Sequence, residues 1–240
     1  MTLWKRYLEW SVGRDSALGV GPRTAAWLAT GPVILTALYL LALVLPPSHY
    51  AALRLLDENG PVENLTFLAA LLAAVAAVRT ARRSARRGEP THVWACFTAF
   101  GAGMFFIAGE EIAWGQQFLH FATPASWKAV NAQGETTLHN LQGMQGHTEL
   151  VRLVFGVGGL ITITLGRTAF LRSIAAPAVL LPLFLIIIGH SAVDAVNDQF
   201  PVSVRFDFYI NKLSELIEMY IAFAGLGYAW YNGRRGAPAA

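Results

Sequence analysis

Charged residues are scarce in this chain of 240 residues: they make up only 14% of it, against 55% hydrophobic residues. A soluble domain of this length has roughly a quarter charged residues, and here the mean hydropathy is +0.45. Several apolar runs approach the ~20 residues that a helix needs to cross a bilayer. The composition therefore predicts a polytopic helical membrane protein without a separate soluble domain.

Cysteine is almost lacking, since Cys96 is the only one. An intramolecular disulfide is excluded, and the place of Cys96 in an apolar run is typical of a small core residue. The net charge of +3 comes from basic residues at the ends of apolar runs, which indicates membrane topology and no nucleic-acid partner. Residues 1–23 lack the short apolar stretch of a signal peptide and favour a cytoplasmic interfacial helix.

Known catalytic signatures are also lacking. The chain has no HExxH sequence, no pair of ExxH sequences on two helices and no cysteine cluster. It has no serine nucleophile elbow, Walker loop or dinucleotide fingerprint. The sequence therefore leaves the identity of any metal and the reaction open.

The apolar runs predict an all-α bundle of about six transmembrane helices in a single membrane domain, 1–240. The spans are expected at 24–45, 61–78, 93–112, 151–165, 175–196 and 208–231. Residues 113–149 are expected to form a long outer loop with short interfacial helices on either side of Gly134. The fourth span contains glycines that permit close helix contact, namely Gly156, Gly158 and Gly159.

The basic residues predict the orientation of this bundle. With six spans, thirteen of the 18 Lys and Arg residues fall on the side of the two termini, five of them in a predicted loop at 79–90. Because cytoplasmic loops carry the excess of Lys and Arg, both termini are expected in the cytoplasm of a bacterial inner membrane.

Acidic residues and a histidine gather near the outer ends of four predicted spans. They are Glu58 and Glu63 in or before the second span, Glu110 and Glu111 at the end of the third, His190 and Asp194 in the fifth, and Glu215 and Glu218 in the sixth. His190 and Asp194 share a helix face, as do Glu215 and Glu218. A charge in hydrocarbon costs ~2.5–3.5 kcal/mol on insertion scales, so such residues usually face a bundle interior and often mark function.

The stretch 109–140 adds further polar side chains directly after an apolar run. They are Trp114, Gln117, Asn131, Glu135, His139 and Asn140. Glu135 and His139 are spaced i, i+4, as on one face of a helix. We expect this stretch to form the floor of the same polar site, although Trp114 also fits an aromatic belt at the membrane interface.

Carboxylates with histidines are ligands for Zn, Mn, Fe or Ca. The first hypothesis is a metal-dependent hydrolase that acts at the outer leaflet on a lipid or lipid-linked substrate. Its catalytic residues would be Glu111 and Glu110. Its metal ligands would be His139, His190, Asp194, Glu63, Glu215 and Glu218. Residues expected to support these ligands are Glu58, Trp114, Gln117, Asn131, Glu135 and Asn140.

Two other hypotheses use the same residues. Buried acids also build the relays of a proton- or cation-coupled transporter or channel, which would need polar residues in the cytoplasmic half as well. Alternatively, the protein has a structural or partner-binding role, and its acids form a satisfied hydrogen-bond network.

Four motifs carry a resemblance to known families. The sequences DENGPVEN at 57–64, GEEIAWGQ at 109–116, NAQGETTLHN at 131–140 and SELIEM at 214–219 resemble a group of uncharacterised bacterial multi-pass membrane proteins. This resemblance covers most of the chain and implies a membrane protein without implying an activity.

Two more distant resemblances imply hydrolysis. The residues from Asp57 to Glu63 are similar to the alkaline ceramidase-like superfamily of metal-dependent membrane amide hydrolases, whose seven spans and C-terminal paired-histidine motif are not found here. The pair Glu110-Glu111 followed by His190 and Asp194 resembles the CAAX-protease-like glutamic membrane proteases. Those enzymes have an arginine where this chain has Gly115.

Overall fold

The computed structural model describes residues 1–57, 60–131, 134–138, 141 and 148–235. These residues form helices without a β-strand, so the all-α class is confirmed. The helices are α1 (Leu3–Asp15), α2 (Pro22–Val44), α3 (Pro46–Leu55), α4 (Pro61–Arg86), α5 (Thr91–Glu111), α6 (Gln116–Leu119), α7 (Ala125–Lys128), α8 (Thr148–Leu165), α9 (Leu181–Gln199) and α10 (Val204–Asn232). A 310 turn at Ala178–Leu180 leads into α9.

Five helical segments are long and apolar enough to cross a membrane. They are α2, α4, α5, α8 and the segment Ala178–Gln199, which contains α9. These helices make the chain an integral membrane protein. The predicted sixth span corresponds to α10, whose first half carries Arg205, Asp207, Lys212, Glu215 and Glu218 and which is not among the five.

Several helices begin where a proline occupies the first helical position, namely Pro22, Pro46 and Pro61. Proline is favoured there because its missing N–H would have no partner within the helix. Ser203 starts α10 differently, since its hydroxyl accepts a hydrogen bond from the Phe206 N–H at 3.1 Å. These local signals account for the beginnings of α2, α3, α4 and α10.

Helix α10 lies between two helix pairs. It packs against α4 and, less extensively, α5 on one side, and against α9 and α8 on the other. The interface of α4 is built from small residues, with Ala69, Ala70, Ala73 and Ala74 packed near Met104, Ala108 and Ala222. Helix α2 packs against α3 and α9, and α1 contacts α2 and the 310 turn. The small side chains let α4, α5 and α10 approach closely.

The bundle has two chemically different ends. Glu63, Glu111, Arg152, Asp194 and Glu215 lie at what we call the acidic end, where α4, α8 and α10 begin and α5 and α9 finish. The opposite end, which we call the arginine end, contains the last turns of α4, α8 and α10. There the Thr80 hydroxyl approaches the Ala229 carbonyl at 3.3 Å.

Two of the predicted glycine contacts are present and one is not. A Cβ on Gly156 would lie 2.7 Å from a side-chain atom of Ile188, and one on Gly159 would overlap the ring of Phe184. A Cβ on Gly158 would meet nothing within 4 Å. Gly156 and Gly159 therefore permit the close contact of α8 with α9.

Two expectations about local structure are corrected. The segment predicted as a loop at 79–90 is helical up to Arg86, because alanine and arginine are good helix formers and continue α4 beyond its apolar part. The described residues 134–138 form bends where a second short helix was expected, and Gly134 has φ of +70°. The i, i+4 argument for Glu135 therefore does not apply.

Candidate functional site

Four glutamates from three helices come together at the acidic end. Glu111, the last residue of α5, interacts electrostatically with Glu218, Glu215 and Glu63, and with its neighbour Glu110. Glu63 lies in the first turn of α4, and Glu215 and Glu218 are spaced i, i+3 on α10. All four are partly buried. We call Glu63, Glu111, Glu215 and Glu218 the carboxylate cluster.

Arg152 adjoins this cluster through a buried ion-pair network. Its Nη2 donates to Asp194 Oδ2 at 2.7 Å, and its Nη1 donates to Glu218 Oε1 at 3.0 Å. The Arg152 and Asp194 side chains are only 6% and 5% exposed, whereas Glu218 is 32% exposed. One guanidinium thus joins α8, α9 and α10 beside the cluster.

Arg152 is not among the predicted site residues. Its signal in the sequence is a single cation in the second turn of a largely apolar helix, where an ionisable residue is expensive and usually paired. The partners lie 42 and 66 residues away in the chain, so spacing alone does not identify them.

His190 faces α10 and Arg152. Its Nε2 lies 3.1 Å from the Ile210 carbonyl oxygen, and because a carbonyl only accepts, Nε2 must carry the hydrogen and Nδ1 the lone pair. Nδ1 is buried and has no hydrogen-bond partner in the described part of the chain. Arg152 is the charged group that interacts with this imidazole. His190 therefore offers a buried imidazole nitrogen beside Arg152.

Glu110 anchors the segment that follows α5 to the end of that helix. Its Oε1 accepts a hydrogen bond from Trp114 Nε1, and its Oε2 accepts one from the Leu138 N–H, both at 2.6 Å. Trp114 has φ of +54°, and its ring lies so close to Gly109 that a Cβ there would stand 2.8 Å away. Gly109, Glu110 and Trp114 of the GEEIAWGQ motif thus act together to turn the chain back at the end of α5.

Two amides complete the described part of this loop. Gln116 Oε1 accepts hydrogen bonds from the N–H and the hydroxyl of Thr136, each at 3.0 Å. Asn131 Nδ2 donates to the Thr137 carbonyl at 2.8 Å, and its Oδ1 accepts from the Glu135 N–H at 3.1 Å. These contacts give Asn131 and Gln116 a part in shaping the segment that follows α5.

Four other predicted site residues lie wholly or partly outside the described part of the chain. Glu58, His139 and Asn140 lie outside the described residues, as does the side chain of Gln117. Their predicted roles as metal ligands or supporting residues stay predictions. The same holds for the catalytic and ligand roles of the residues whose positions are given above.

The metal prediction is likewise open. Among the described residues, no group of three or more His, Cys, Asp or Glu side chains is arranged to hold a metal ion. The carboxylate cluster offers oxygen donors, the ligands that Ca and Mn prefer. The predicted nitrogen ligands for Zn or Fe are His139, which lies outside the described residues, and His190, whose Nε2 lies beside the Ile210 carbonyl oxygen.

An apolar cavity of about 260 Å³ opens between α5 and α8 along the face of α10. Its lining includes Phe100, Phe155, Phe184 and Tyr228, together with Gly158 and Gly159. Phe155 lies one turn from Arg152 on α8. Phe100 lies on the same face of α5 as Glu111, about 16 Å along the helix at 1.5 Å per residue. The cavity thus lies on helix faces that lead to the carboxylate cluster.

Comparison with known proteins gives no relative for this chain: no family model, no curated protein and no solved structure matches it.

Proposed function

We propose that the protein is a hydrolase of the bacterial inner membrane that acts on a lipid or lipid-linked substrate at the carboxylate cluster. The observation that supports this most directly is the electrostatic interaction of Glu111 with glutamates from two other helices. Buried like charges that interact are compensated by a shared proton or a bound cation. Both arrangements are common where carboxylates act as acids and bases.

Glu111 is the proposed general base, because it interacts with every other member of the cluster. Glu63 and Glu215 would hold a divalent cation, with His139 as a further ligand. Such a cation supplies Lewis acidity and neutralises the clustered charge. Arg152, held in place by Asp194 and Glu218, would orient an anionic or carbonyl oxygen of the substrate.

The apolar cavity gives the proposal its substrate class. It is lined almost wholly by aromatic, aliphatic and glycine residues, and it lies on the helix faces that lead to Glu111 and Arg152. An acyl chain placed there would bring the polar part of a lipid to the carboxylate cluster. The combination of an apolar cavity and a polar end of the bundle supports a lipid as the substrate class.

The proposal includes the orientation of the chain. Helix α10 has 29 residues and a length of about 43 Å, more than the ~30 Å hydrocarbon core of a bilayer. Its second half is largely buried and apolar, which supports α10 as the sixth crossing. With six crossings, the excess of Lys and Arg supports both termini and the arginine end in the cytoplasm and the carboxylate cluster near the outer face.

The test is hydrolysis by purified protein in vesicles made from a total bacterial lipid extract, with products identified by mass spectrometry and bound metal measured on the same sample. We expect lipid cleavage and a bound divalent cation in the wild type. Glu111→Gln should lower the rate by about 10²-fold or more, the usual contribution of a general base. Glu9→Gln, an exposed residue of α1, is the matched control.

One observation favours a second candidate. Arg152 is already paired with Asp194 and Glu218, which is what a purely structural network would contain. A structural role predicts that Glu111→Gln alters thermal stability alone, with neither lipid cleavage nor bound cation in the wild type. That outcome would replace the hydrolase proposal.

A further inference from the structure

A second cavity, which is polar, lies at the arginine end, away from the carboxylate cluster. Its volume is about 530 Å³. It is enclosed by the end of α1, the connection that follows α8 and the residue Arg235 after α10. The charged residues in its lining are Arg14, Asp15, Arg167, Arg172 and Arg235. Four guanidinium groups and one carboxylate therefore share a single hollow.

Two of these arginines have free donors. The side chains of Arg167 and Arg172 are exposed and make no hydrogen bond or ion pair within the described residues. Arg235 donates to the carbonyl oxygens of Arg172 and Ala175, yet its buried Nε has no partner in the described part of the chain. The cavity thus holds more N–H donors than the protein itself uses.

The carboxylate in the cavity does not balance this charge. Asp15 Oδ2 accepts a hydrogen bond from the Val179 N–H at 2.8 Å, which ties the end of α1 to the 310 turn. Burial raises the pKa of Asp15, despite the opposing effects of this bond and of Arg14. Burial also lowers the pKa of Arg235, and the nearby charges of Arg14 and Arg172 act in the same direction. With four arginines and one carboxylate in its lining, the cavity carries an excess of positive charge.

The position of the cavity suits a membrane lipid. Arg167, Arg172 and the lining residue Ala176 lie in the connection between α8 and the Ala178–Gln199 span. The neighbouring Phe170 is 61% exposed, as expected for a side chain that contacts acyl chains or the interface. The guanidinium groups thus lie beside the ends of two candidate membrane spans, and the ends of a span are where a bilayer has its headgroups.

We propose that this cavity binds the phosphate headgroup of an anionic membrane phospholipid through Arg167 and Arg172, with Arg235 and Arg14 at its base. Guanidinium groups bind phosphate oxygens through paired N–H donors, and basic pockets between transmembrane helices are suited to such headgroups. The site is separate from the carboxylate cluster, so it holds whether or not the protein is a hydrolase.

The test is native mass spectrometry of the full-length protein in mild detergent, titrated with dioleoyl-phosphatidylglycerol, dioleoyl-phosphatidylcholine or inorganic phosphate. The variant is Arg167→Gln/Arg172→Gln, because both side chains are exposed and their loss leaves the backbone contacts of Arg235 intact. The matched control is Arg82→Gln/Arg86→Gln, two exposed arginines of α4 that do not line the cavity.

We expect preferential binding of phosphatidylglycerol over phosphatidylcholine. Binding should weaken by about tenfold or more in Arg167→Gln/Arg172→Gln, since each arginine near a lipid surface contributes substantially, and by less than about twofold in the control. Equal losses in both double variants would show diffuse charge attraction and overturn the proposal. Binding of inorganic phosphate with the same dependence on Arg167 and Arg172, and its displacement of the lipid, would identify a soluble anion as the ligand and likewise overturn it.

Discussion

The network around Arg152 should respond very differently to the loss of each partner. Asp194 is 5% exposed and lies 2.7 Å from Arg152, itself 6% exposed. Asp194→Leu leaves a buried guanidinium without its closest partner, and we expect a loss of about 3–5 kcal/mol in the free energy of unfolding. Glu218 is 32% exposed, so water screens this pair and the loss in Glu218→Gln should be about 1 kcal/mol or less.

The double variant distinguishes an ion-pair effect from lost packing. In Arg152→Met/Asp194→Leu neither charge remains, and replacing a buried pair by apolar side chains of similar volume is often neutral or stabilising. We therefore expect the double variant to recover most of the stability lost in Asp194→Leu. The measurement is equilibrium unfolding in mixed micelles, arranged as a double-mutant cycle.

Two results would contradict a stabilising buried ion pair between Arg152 and Asp194. If Asp194→Leu lowers stability by less than about 1 kcal/mol, the pair behaves as a surface ion pair and is not the buried link between α8 and α9. If the double variant loses as much free energy of unfolding as Arg152→Met and Asp194→Leu lose together, the ion pair itself contributes nothing.

Two further predictions concern the loop anchor and α1. Gly109→Ala should lower stability by about 1–3 kcal/mol because its Cβ would displace the ring of Trp114. Gly103→Ala on the same helix is the control, since its Cβ would meet open space, and it should be neutral or stabilising in thermal unfolding. Equal effects of the two substitutions would refute the close contact of Gly109 with Trp114. Asp15 has a raised pKa, so its contribution to stability is present below the ordinary value of about 3.9 and is lost as the pH rises through the raised value. Asp15→Asn should remove that pH dependence while keeping an acceptor for the Val179 N–H, and Asp15→Ala should cost about 1–3 kcal/mol; an unchanged pH profile in Asp15→Asn would contradict this assignment.

The helices could be predicted because membrane helices are apolar over a length set by the bilayer. The candidate spans α2, α4, α5 and α8 follow directly from apolar runs, and Gly156 and Gly159 follow from the need for close packing between helices. The end of α4 could not be placed in this way. Arginine is a good helix former, so the helix continues past the point where its apolar residues stop.

The chemical roles of neighbouring residues could not be separated from the sequence. Glu110 and Glu111 differ by about 100° around α5, so one accepts hydrogen bonds from the loop while the other interacts with α4 and α10. Which of the two faces the bundle depends on the rotation of the helix about its axis. The partners of Arg152 could not be predicted from the sequence either, because they depend on how α8 packs against α9 and α10.

The most direct test of the account is whether the carboxylate cluster exists in the membrane. With Cys96 replaced by serine, Glu111→Cys and Glu218→Cys can be combined and treated with a short bifunctional thiol reagent in native membranes. The control combines Glu111→Cys with Glu89→Cys, because Glu89 lies beyond the opposite end of α5, about 30 Å away. We expect rapid cross-linking of the first pair and none of the second. Failure of Glu111→Cys and Glu218→Cys to cross-link, in a protein that remains folded, would contradict the shared site and the function proposed for it.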